Sequence, residues 1–327
     1  MSSNPFASYT NMPDGHVVYD LASLMVDRLN QPQPLRVEHN LVALGKNTIR
    51  QLDDSRNGPR LRLSASGACI RQLAYSWHMY RPTNGVNATS RMTFAMGDMT
   101  ENMMVAVLEE VFAELGDCDL LYTGDEQSDV HLSIPLGGNR EFEVGGHPDG
   151  LMVLPRWQNE QEEKFRAILE VKSMSDYGFK KFRQNGLSED DTYYAQVQAY
   201  MLARTRMDLQ DCNYAYVVAY GKTTGAYDVD IIDADTNHWR PVAPIHGQWI
   251  KADPDYQEML IGKFRSVIDS AGPEDFPRPF GPGKKGKLGF PCSYCSYMGE
   301  CFPNSTMRAD KTFWRAYASK INPYIED

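Results

Sequence analysis

The sequence has 327 residues, of which 42% are hydrophobic and 23% are charged, and its formal net charge at pH 7 is −10. These values are ordinary for a globular protein with a sizeable core, and they exclude a collagen-like or mostly disordered chain. No apolar run approaches the ~20 residues that span a bilayer, and the first residues lack a signal-peptide pattern. We therefore expect a cytoplasmic protein without membrane contact.

Apolar periodicity predicts an N-terminal extension at residues 1–57, followed by one α/β domain at residues 58–327. Helices are predicted at 20–29, 67–80, 92–115, 177–184, 190–204, 256–271 and 311–319, and strands at 119–122, 130–134, 140–144, 150–153, 166–172, 213–220 and 226–232. The order of these elements indicates a mixed central sheet flanked by helices, because helices come first and are followed by hairpin-connected strands, a helix pair and further strands.

Basic residues are concentrated in two windows, although the chain as a whole is acidic. Residues 55–97 contain six arginines and no acidic residue, and residues 278–299 contain one arginine, three lysines and again no acidic residue. Such asymmetry indicates a local site for a polyanion on an acidic body. Two basic loops without a common function are the alternative.

The most informative motif is Pro148-Asp149-Gly150, followed by Glu170-Val171-Lys172. Asp149 falls at a turn before one strand, and in the next strand Glu170 and Lys172 share a face because strand side chains alternate. Two carboxylates beside a lysine suit Mg²⁺ or Mn²⁺, which lowers the pKa of water and offsets charge on a phosphate. The lysine can orient that water, or deprotonate it if neighbours lower the lysine's pKa. A turn and an exposed Glu–Lys pair are the alternative, but both residues interrupt an otherwise apolar strand.

Three further polar side chains accompany this motif. Glu101 lies near the start of the helix predicted at 92–115 and is placed to supply a third metal ligand. Gln196 and Tyr200 share one face of the helix predicted at 190–204, at positions i and i+4. Their polar ends are suited to hold DNA or to orient the lysine, although packing in the core is the better interpretation for Tyr200 alone.

Pro148-Asp149, Glu170-Val171-Lys172 and Gln196-x-x-x-Tyr200 together resemble the RecB-like branch of the PD-(D/E)XK nuclease superfamily, over about residues 60–301. The resemblance implies a restriction-endonuclease-like core that hydrolyses DNA phosphodiester bonds. It implies a metal held by Glu101, Asp149, Glu170 and the Val171 carbonyl, with Lys172 positioning water and Gln196 and Tyr200 supporting the site. That branch usually has a histidine where this chain has Glu101.

The cysteines form a second constellation. Cys292, Cys295 and Cys301 have the spacing C-x2-C-x5-C, and Cys69 is the natural fourth member. In a cytosolic chain this favours a metal site over disulfides. Four cysteines suit either structural zinc or an iron–sulfur cluster, and spacing alone favours zinc as the commoner metal. The remaining two, Cys118 and Cys212, are interpreted as packing thiols.

One distant cysteine and a C-terminal triad around such a core resemble the iron–sulfur nucleases, which include CRISPR-associated exonucleases, the AddB nuclease domain and phage relatives. The resemblance implies a [4Fe–4S] cluster on Cys69, Cys292, Cys295 and Cys301 that joins the ends of the domain, with its C-terminal part in residues 272–303. The cluster would also bring the two basic windows together. The aromatic residues interleaved with them, a pattern typical of single-strand binding but also of a core, are Tyr75, Trp77, Tyr80, Tyr294 and Tyr297.

The leading hypothesis is therefore a metal-dependent DNA exonuclease in phage or bacterial recombination, repair or processing, acting on single-stranded DNA or DNA ends. The alternative is a DNA-end-binding module that cleaves little and works with a helicase, recombinase or CRISPR-type partner. A redox protein ranks last, because it has no use for the carboxylate motif. Residues 281–287 look like a P-loop, but Leu288 stands where Ser or Thr must bind Mg²⁺, so no ATP-driven motor is expected.

Overall fold

The computed structural model describes residues 8–31, 61–83, 88–123, 129–158, 161–189, 191–208, 212–222, 227–232, 239–241, 244–278 and 292–302. Its strands are β1 (Tyr9–Asn11), β2 (Val17–Tyr19), β3 (Asp119–Leu121), β4 (Val130–Pro135), β5 (Glu141–Gly146), β6 (Gly150–Gln158), β7 (Gln161–Met174), β8 (Tyr214–Gly221), β9 (Tyr227–Ile232), β10 (Trp239–Pro241) and β11 (Ile245–Lys251). Its α-helices are α1 (Leu21–Asn30), α2 (Ile70–Trp77), α3 (Ala88–Leu115), α4 (Asp176–Asn185), α5 (Thr192–Asp208), α6 (Pro254–Asp269) and α7 (Met298–Cys301). Single 3₁₀ turns lie at Leu63–Ala65, Pro273–Asp275 and Cys292–Tyr294.

A mixed sheet in the order β1-β2-β6-β7-β8-β11 forms the centre, and β3 pairs with the same edge of β6 as β2. Strands β6 and β7 form an antiparallel hairpin, β7 and β8 run parallel, and β8 and β11 are antiparallel. The parallel pair is connected through α4 and α5, because a parallel connection must cross over the sheet. The hairpins β4–β5 and β9–β10 pair outside this sheet.

Two hydrophobic cores lie on opposite faces of the sheet. Alternate residues of β7 belong to different cores. Ile168 packs with α2, α5, α6 and the β4–β5 hairpin, whereas Leu169 and Val171 pack with α1 and α3. This is the alternation expected of a strand that is covered on both sides. It confirms the predicted α/β fold with a mixed sheet between helices, and it puts Glu170 and Lys172 on the α5 face.

Residues 8–31 contribute to the core that contains α3. Strand β2 pairs with β6 at Val17 and Trp157, and the Tyr19 hydroxyl donates to Asp117 at 2.8 Å. Helix α1 begins where the Asp20 carboxylate accepts from the Ser23 amide at 3.2 Å, and it packs against α3. Much of the segment predicted as an extension therefore contributes two strands and a helix to the domain.

The predicted helices and strands from 67–80 through 256–271 are present, with ends that shift by a few residues. The largest shifts are in the β6–β7 hairpin, where β6 ends five residues later and β7 begins five residues earlier than predicted. Strands β1, β2, β10 and β11 were not predicted. The helix predicted at 311–319 lies outside the described residues. Among the described helices, none is long and apolar enough to cross a membrane.

Strand β11 contains a glycine that the packing of β8 requires. Gly247 pairs with Val218, and a Cβ atom at Gly247 would overlap the buried Tyr216 hydroxyl. A residue larger than glycine is excluded at position 247 because the Tyr216 ring has no room to move in the core.

We expect Gly247→Ala to lower the free energy of unfolding by about 1–3 kcal/mol, because it overpacks this contact. Urea denaturation measures the change. Gly262→Ala is the matched control, since Gly262 lies on α6 with nothing within 4 Å of its Cβ position. That control should stabilise the protein by roughly 0.5–1 kcal/mol. Equal effects of the two substitutions would contradict this account.

Candidate active site

The ends of β6 and β7 bring the first polar groups together. Strand β6 begins at Gly150, which pairs with Leu169, so Asp149 lies level with the next residues of β7. The Val171 amide donates to Asp149 Oδ2 at 2.7 Å. Because the N–H and C=O of one residue point to the same edge of a strand, the Val171 carbonyl faces the side where pairing with β6 has ended.

Glu170 is held by side chains from β7 and α5. Its Oε1 atom accepts from Gln196 Nε2 at 2.7 Å and from the Lys172 ammonium. Gln196 Nε2 also lies 3.3 Å from the Tyr200 hydroxyl, which donates to the His147 carbonyl at 3.1 Å. These bonds connect the strand, the helix and the turn that precedes Asp149.

The turn depends on a glycine beneath the Tyr200 ring. A Cβ at Gly146 would lie 2.6 Å from Tyr200 Cε1 and 2.9 Å from Leu63 Cβ. Tyr200 itself is 1% exposed. The core interpretation of Tyr200 and its role in the site are therefore compatible: the ring packs against Gly146 and the hydroxyl fixes the turn.

Both carboxylates are withdrawn from water, since Asp149 is 8% and Glu170 is 1% exposed. Burial, and then the negative charges of Glu101 and Glu170, hold the pKa of Asp149 well above its usual range. Burial also raises the pKa of Glu170, against the effect of Lys172 and Gln196. Glu170 Oε2 is buried and has no hydrogen-bond partner among the described residues. The site thus holds more negative charge than its one lysine offsets.

The pKa of Lys172 bears on the two roles predicted for this side chain, which are to orient water or to deprotonate it. Burial acts to lower the pKa of Lys172, but the carboxylates of Glu170 and Asp149 outweigh it and raise that pKa above its ordinary value. The ammonium also lies 4.8 Å from the centre of the Tyr193 ring. The predicted role of deprotonating water depends on a lowered pKa, which these neighbours do not provide, whereas a role in orienting water is compatible with this arrangement.

Helix α3 brings Glu101 to the same place. The helix packs against β7, and a Cβ at Gly97 would lie 3.9 Å from Ser173 Oγ. Half-buried Glu101 lies one turn further along, where its charge acts on Asp149. All the residues predicted around the carboxylate motif therefore lie at the ends of β6 and β7: Glu101, Asp149, Glu170, Val171, Lys172, Gln196 and Tyr200.

All six cysteines are free thiols. Cys118 and Cys212 are buried in the two main cores, which confirms that they pack as predicted. The other four line one pocket: Cys69, Cys292, Cys295 and Cys301. Burial, followed by the neighbouring thiols, raises the pKa of Cys292 to about 12. A metal bound there must displace protons from these thiols.

Residues 292–302, the C-terminal segment of the described chain, pack against α2 and the residues that follow it. The Thr83 amide donates to the Ser296 carbonyl at 2.9 Å, and the Gly299 amide donates to Thr83 Oγ1 at 2.9 Å. The rings of Tyr75 and Tyr297 stack with their centres 5.2 Å apart. These two aromatics are buried together, so for them the core interpretation is correct.

Within the described ranges, no group of three or more His, Cys, Asp or Glu side chains is arranged to hold a metal ion as it stands. The four-cysteine metal cluster that was predicted to join the ends of the domain is therefore not shown in the described residues. The basic residues Lys284, Lys285 and Lys287 lie outside the described residues.

One neighbour of the cysteine pocket was missed from the sequence. Lys263 on α6 donates through Nζ to the carbonyls of Ser66 and Ala68, both at 2.6 Å, in the turn before Cys69. A single lysine in an amphipathic helix gives no sequence signal, because its partners are backbone atoms almost 200 residues away.

No protein-family model matches the sequence, and no curated protein is significantly similar to it. Among solved structures, the crystal structure of SSO0001 is similar with a TM-score of 0.41 and 13% sequence identity, over 79% of this chain and 94% of that chain. A likeness at this level carries no argument about function, which has to rest on the residues themselves.

Because the pKa of Asp149 is raised, we expect the stability of the protein to depend on pH. A carboxyl whose folded pKa is raised favours the folded state below its unfolded pKa of about 3.9, and that contribution is lost as pH rises through the folded pKa. In the presence of a chelator, Asp149→Asn should therefore stabilise the protein increasingly between pH 4 and pH 8. The limit is about 1.4 kcal/mol for each unit by which the folded pKa is raised.

Thermal melts of wild type and variant across this pH range measure the difference. The matched control is Asp269→Asn, at an exposed carboxylate at the end of α6. The control should follow the wild type, and a pH-independent difference for Asp149→Asn would refute the prediction.

Proposed function

We propose that the protein is a divalent-cation-dependent deoxyribonuclease of the PD-(D/E)XK type, an exonuclease, with a structural [4Fe–4S] cluster. The observation that supports it most is Glu170 Oε2, a buried carboxylate oxygen without a hydrogen-bond partner in the described chain, beside the buried carboxyl of Asp149. A buried carboxylate oxygen without a hydrogen-bond partner is costly, and a bound cation would supply the missing interaction.

The donor set fits Mg²⁺ or Mn²⁺. The groups that would hold the cation are the carboxylates of Glu101, Asp149 and Glu170 and the Val171 carbonyl, all oxygen donors of the kind that these hard cations prefer. When bound, the cation lowers the pKa of water and offsets the charge that develops on the phosphate. Three carboxylates near one lysine also explain why the cation would bind here and not at a surface ion pair.

The chain's own residues prepare the attack on the phosphodiester. Gln196 and Lys172 hold Glu170 Oε1, which leaves the buried Oε2 atom as the oxygen available to a cation. Tyr200 fixes the turn before Asp149 through the His147 carbonyl. The protonated Lys172 donates hydrogen bonds and so orients the attacking water, and the proton that this water loses passes to solvent or to a phosphate oxygen.

The four thiols are a donor set that suits an iron–sulfur cluster, and the resemblance of the sequence to iron–sulfur nucleases favours that cluster over a zinc ion. All four thiols line one pocket. A cluster filling it would link α2 to residues 292–302, which supports the proposal that it joins the two ends of the nuclease domain.

Cleavage of end-labelled single- and double-stranded DNA in Mg²⁺ or Mn²⁺ tests the proposed activity. Lys172→Ala should reduce the rate by about 10²- to 10⁴-fold, because the group that orients water is lost. Lys181→Ala is the matched control, since Lys181 is an exposed lysine paired with Asp191, and it should cleave like the wild type. Binding of DNA ends without cleavage by the wild type would overturn the nuclease proposal in favour of an end-binding module.

A second prediction concerns the cluster. Anaerobically purified wild-type protein should be brown and contain iron, whereas Cys292→Ala should lose iron and melt at a lower temperature, by roughly 2–4 °C for each kcal/mol lost. Iron analysis, the visible spectrum and a thermal melt give these values. Cys118→Ala removes a buried thiol elsewhere and should keep its iron. An unchanged melt for Cys292→Ala would refute the structural role.

A further inference from the structure

Lys263 occupies a position that the proposed chemistry of the carboxylates does not explain. Its side chain is half-buried on α6, and Nζ donates to two backbone carbonyls. Among the described residues, no carboxylate forms an ion pair with it, and the Cys69 thiol is close enough to interact with its charge. An ammonium kept from water needs a negative or strongly polar partner, and here it has two carbonyls and a thiol.

The two carbonyls belong to the turn that presents Cys69. Lys263 Nζ lies 2.6 Å from both the Ser66 and the Ala68 oxygens. On the other side of the turn, a Cβ at Gly67 would lie 2.7 Å from the carbonyl oxygen of Thr192, the first residue of α5. The turn is therefore fixed between α5 and α6, and Cys69 follows it as the residue that caps α2.

Two arginines also bind backbone carbonyls around the pocket. Arg278 Nε donates to the Cys301 carbonyl at 2.6 Å, and Arg71, which lines the pocket, donates to the Phe276 carbonyl at 2.6 Å. Lys263 differs from these arginines because both of its carbonyl partners lie in the turn before Cys69.

We propose that Lys263 is a positioning residue for the cluster. It holds the Ser66–Ala68 turn so that Cys69 faces the three C-terminal thiols, and it places a positive charge beside the Cys69 thiolate when the cluster is bound. The inference rests on the proposed function only through the presence of a cluster. On this account, contacts within the domain core position Cys69, and the three cysteines of residues 292–302 complete the site.

The test compares Lys263→Met, which removes the charge and both hydrogen bonds, with Lys263→Arg, which keeps a charged donor. Iron and sulfide content, the rate of iron release to a chelator and the reduction potential are measured on anaerobically purified protein. Substitutions next to metal ligands typically weaken metal binding by about 10- to 100-fold, so Lys263→Met should release iron faster by that factor. Its potential should become more negative, because a nearby positive charge is lost.

Lys263→Arg should restore most of the retention and the potential. Arg265→Met is the matched control: Arg265 lies on the same helix and donates to the Pro135 carbonyl at 2.9 Å, away from the pocket. It should behave as wild type. If circular dichroism shows that Lys263→Met does not fold, Lys263→Gln keeps one donor without the charge, and it should also release iron faster than wild type.

The outcomes separate this inference from the proposed function. Iron-loaded wild type together with a folded Lys263→Met or Lys263→Gln variant that keeps iron at the wild-type rate and potential would overturn the role of Lys263 alone. Wild type without iron would overturn the cluster and, with it, this inference. DNA cleavage is not a readout of this test, so its presence or absence does not affect the result.

Discussion

Two carboxyl groups kept from water at the ends of β6 and β7 set the main constraint on this structure. Strand β7 lies between β6 and β8 and is covered by helices on both faces, so a residue such as Glu170 cannot reach solvent. Burial of a charge in such a place is unfavourable unless partners offset it. Gln196 and Lys172 offset part of the cost at one oxygen of Glu170, and the Val171 amide does so for Asp149. The remaining charge is what the proposed cation would offset.

Helix α5 connects this site to the cysteine pocket. Its residues Thr192, Gln196 and Tyr200 are spaced four apart and so lie along one face. Thr192 contacts the turn before Cys69, while Gln196 and Tyr200 hold Glu170 and the turn before Asp149. A structural cluster would therefore act on a turn that touches the same helix as the carboxylates, which gives a physical reason for the two sites to occur in one domain.

Local pattern was sufficient to predict much of the fold and the carboxylate set. Period-two alternation predicted β7 and the common face of Glu170 and Lys172, and helical spacing predicted α3, α5 and α6. Strand β11 was missed because His246, Gly247 and Gln248 interrupt its pattern, and they are tolerated through pairing with β8. The stacking of Tyr75 on Tyr297 and the contacts of Lys263 depend on residues far apart in sequence. Spacing within a short segment contains no information on such contacts.

The most direct test of the central claim is an anomalous difference map from crystals soaked in Mn²⁺. The account predicts one strong peak among the carboxylates of Glu101, Asp149 and Glu170, with the Val171 carbonyl within coordinating distance, and loss of that peak in Glu170→Gln crystals. Absence of a peak at these carboxylates in well-soaked wild-type crystals, or a peak there that Glu170→Gln leaves unchanged, would contradict it.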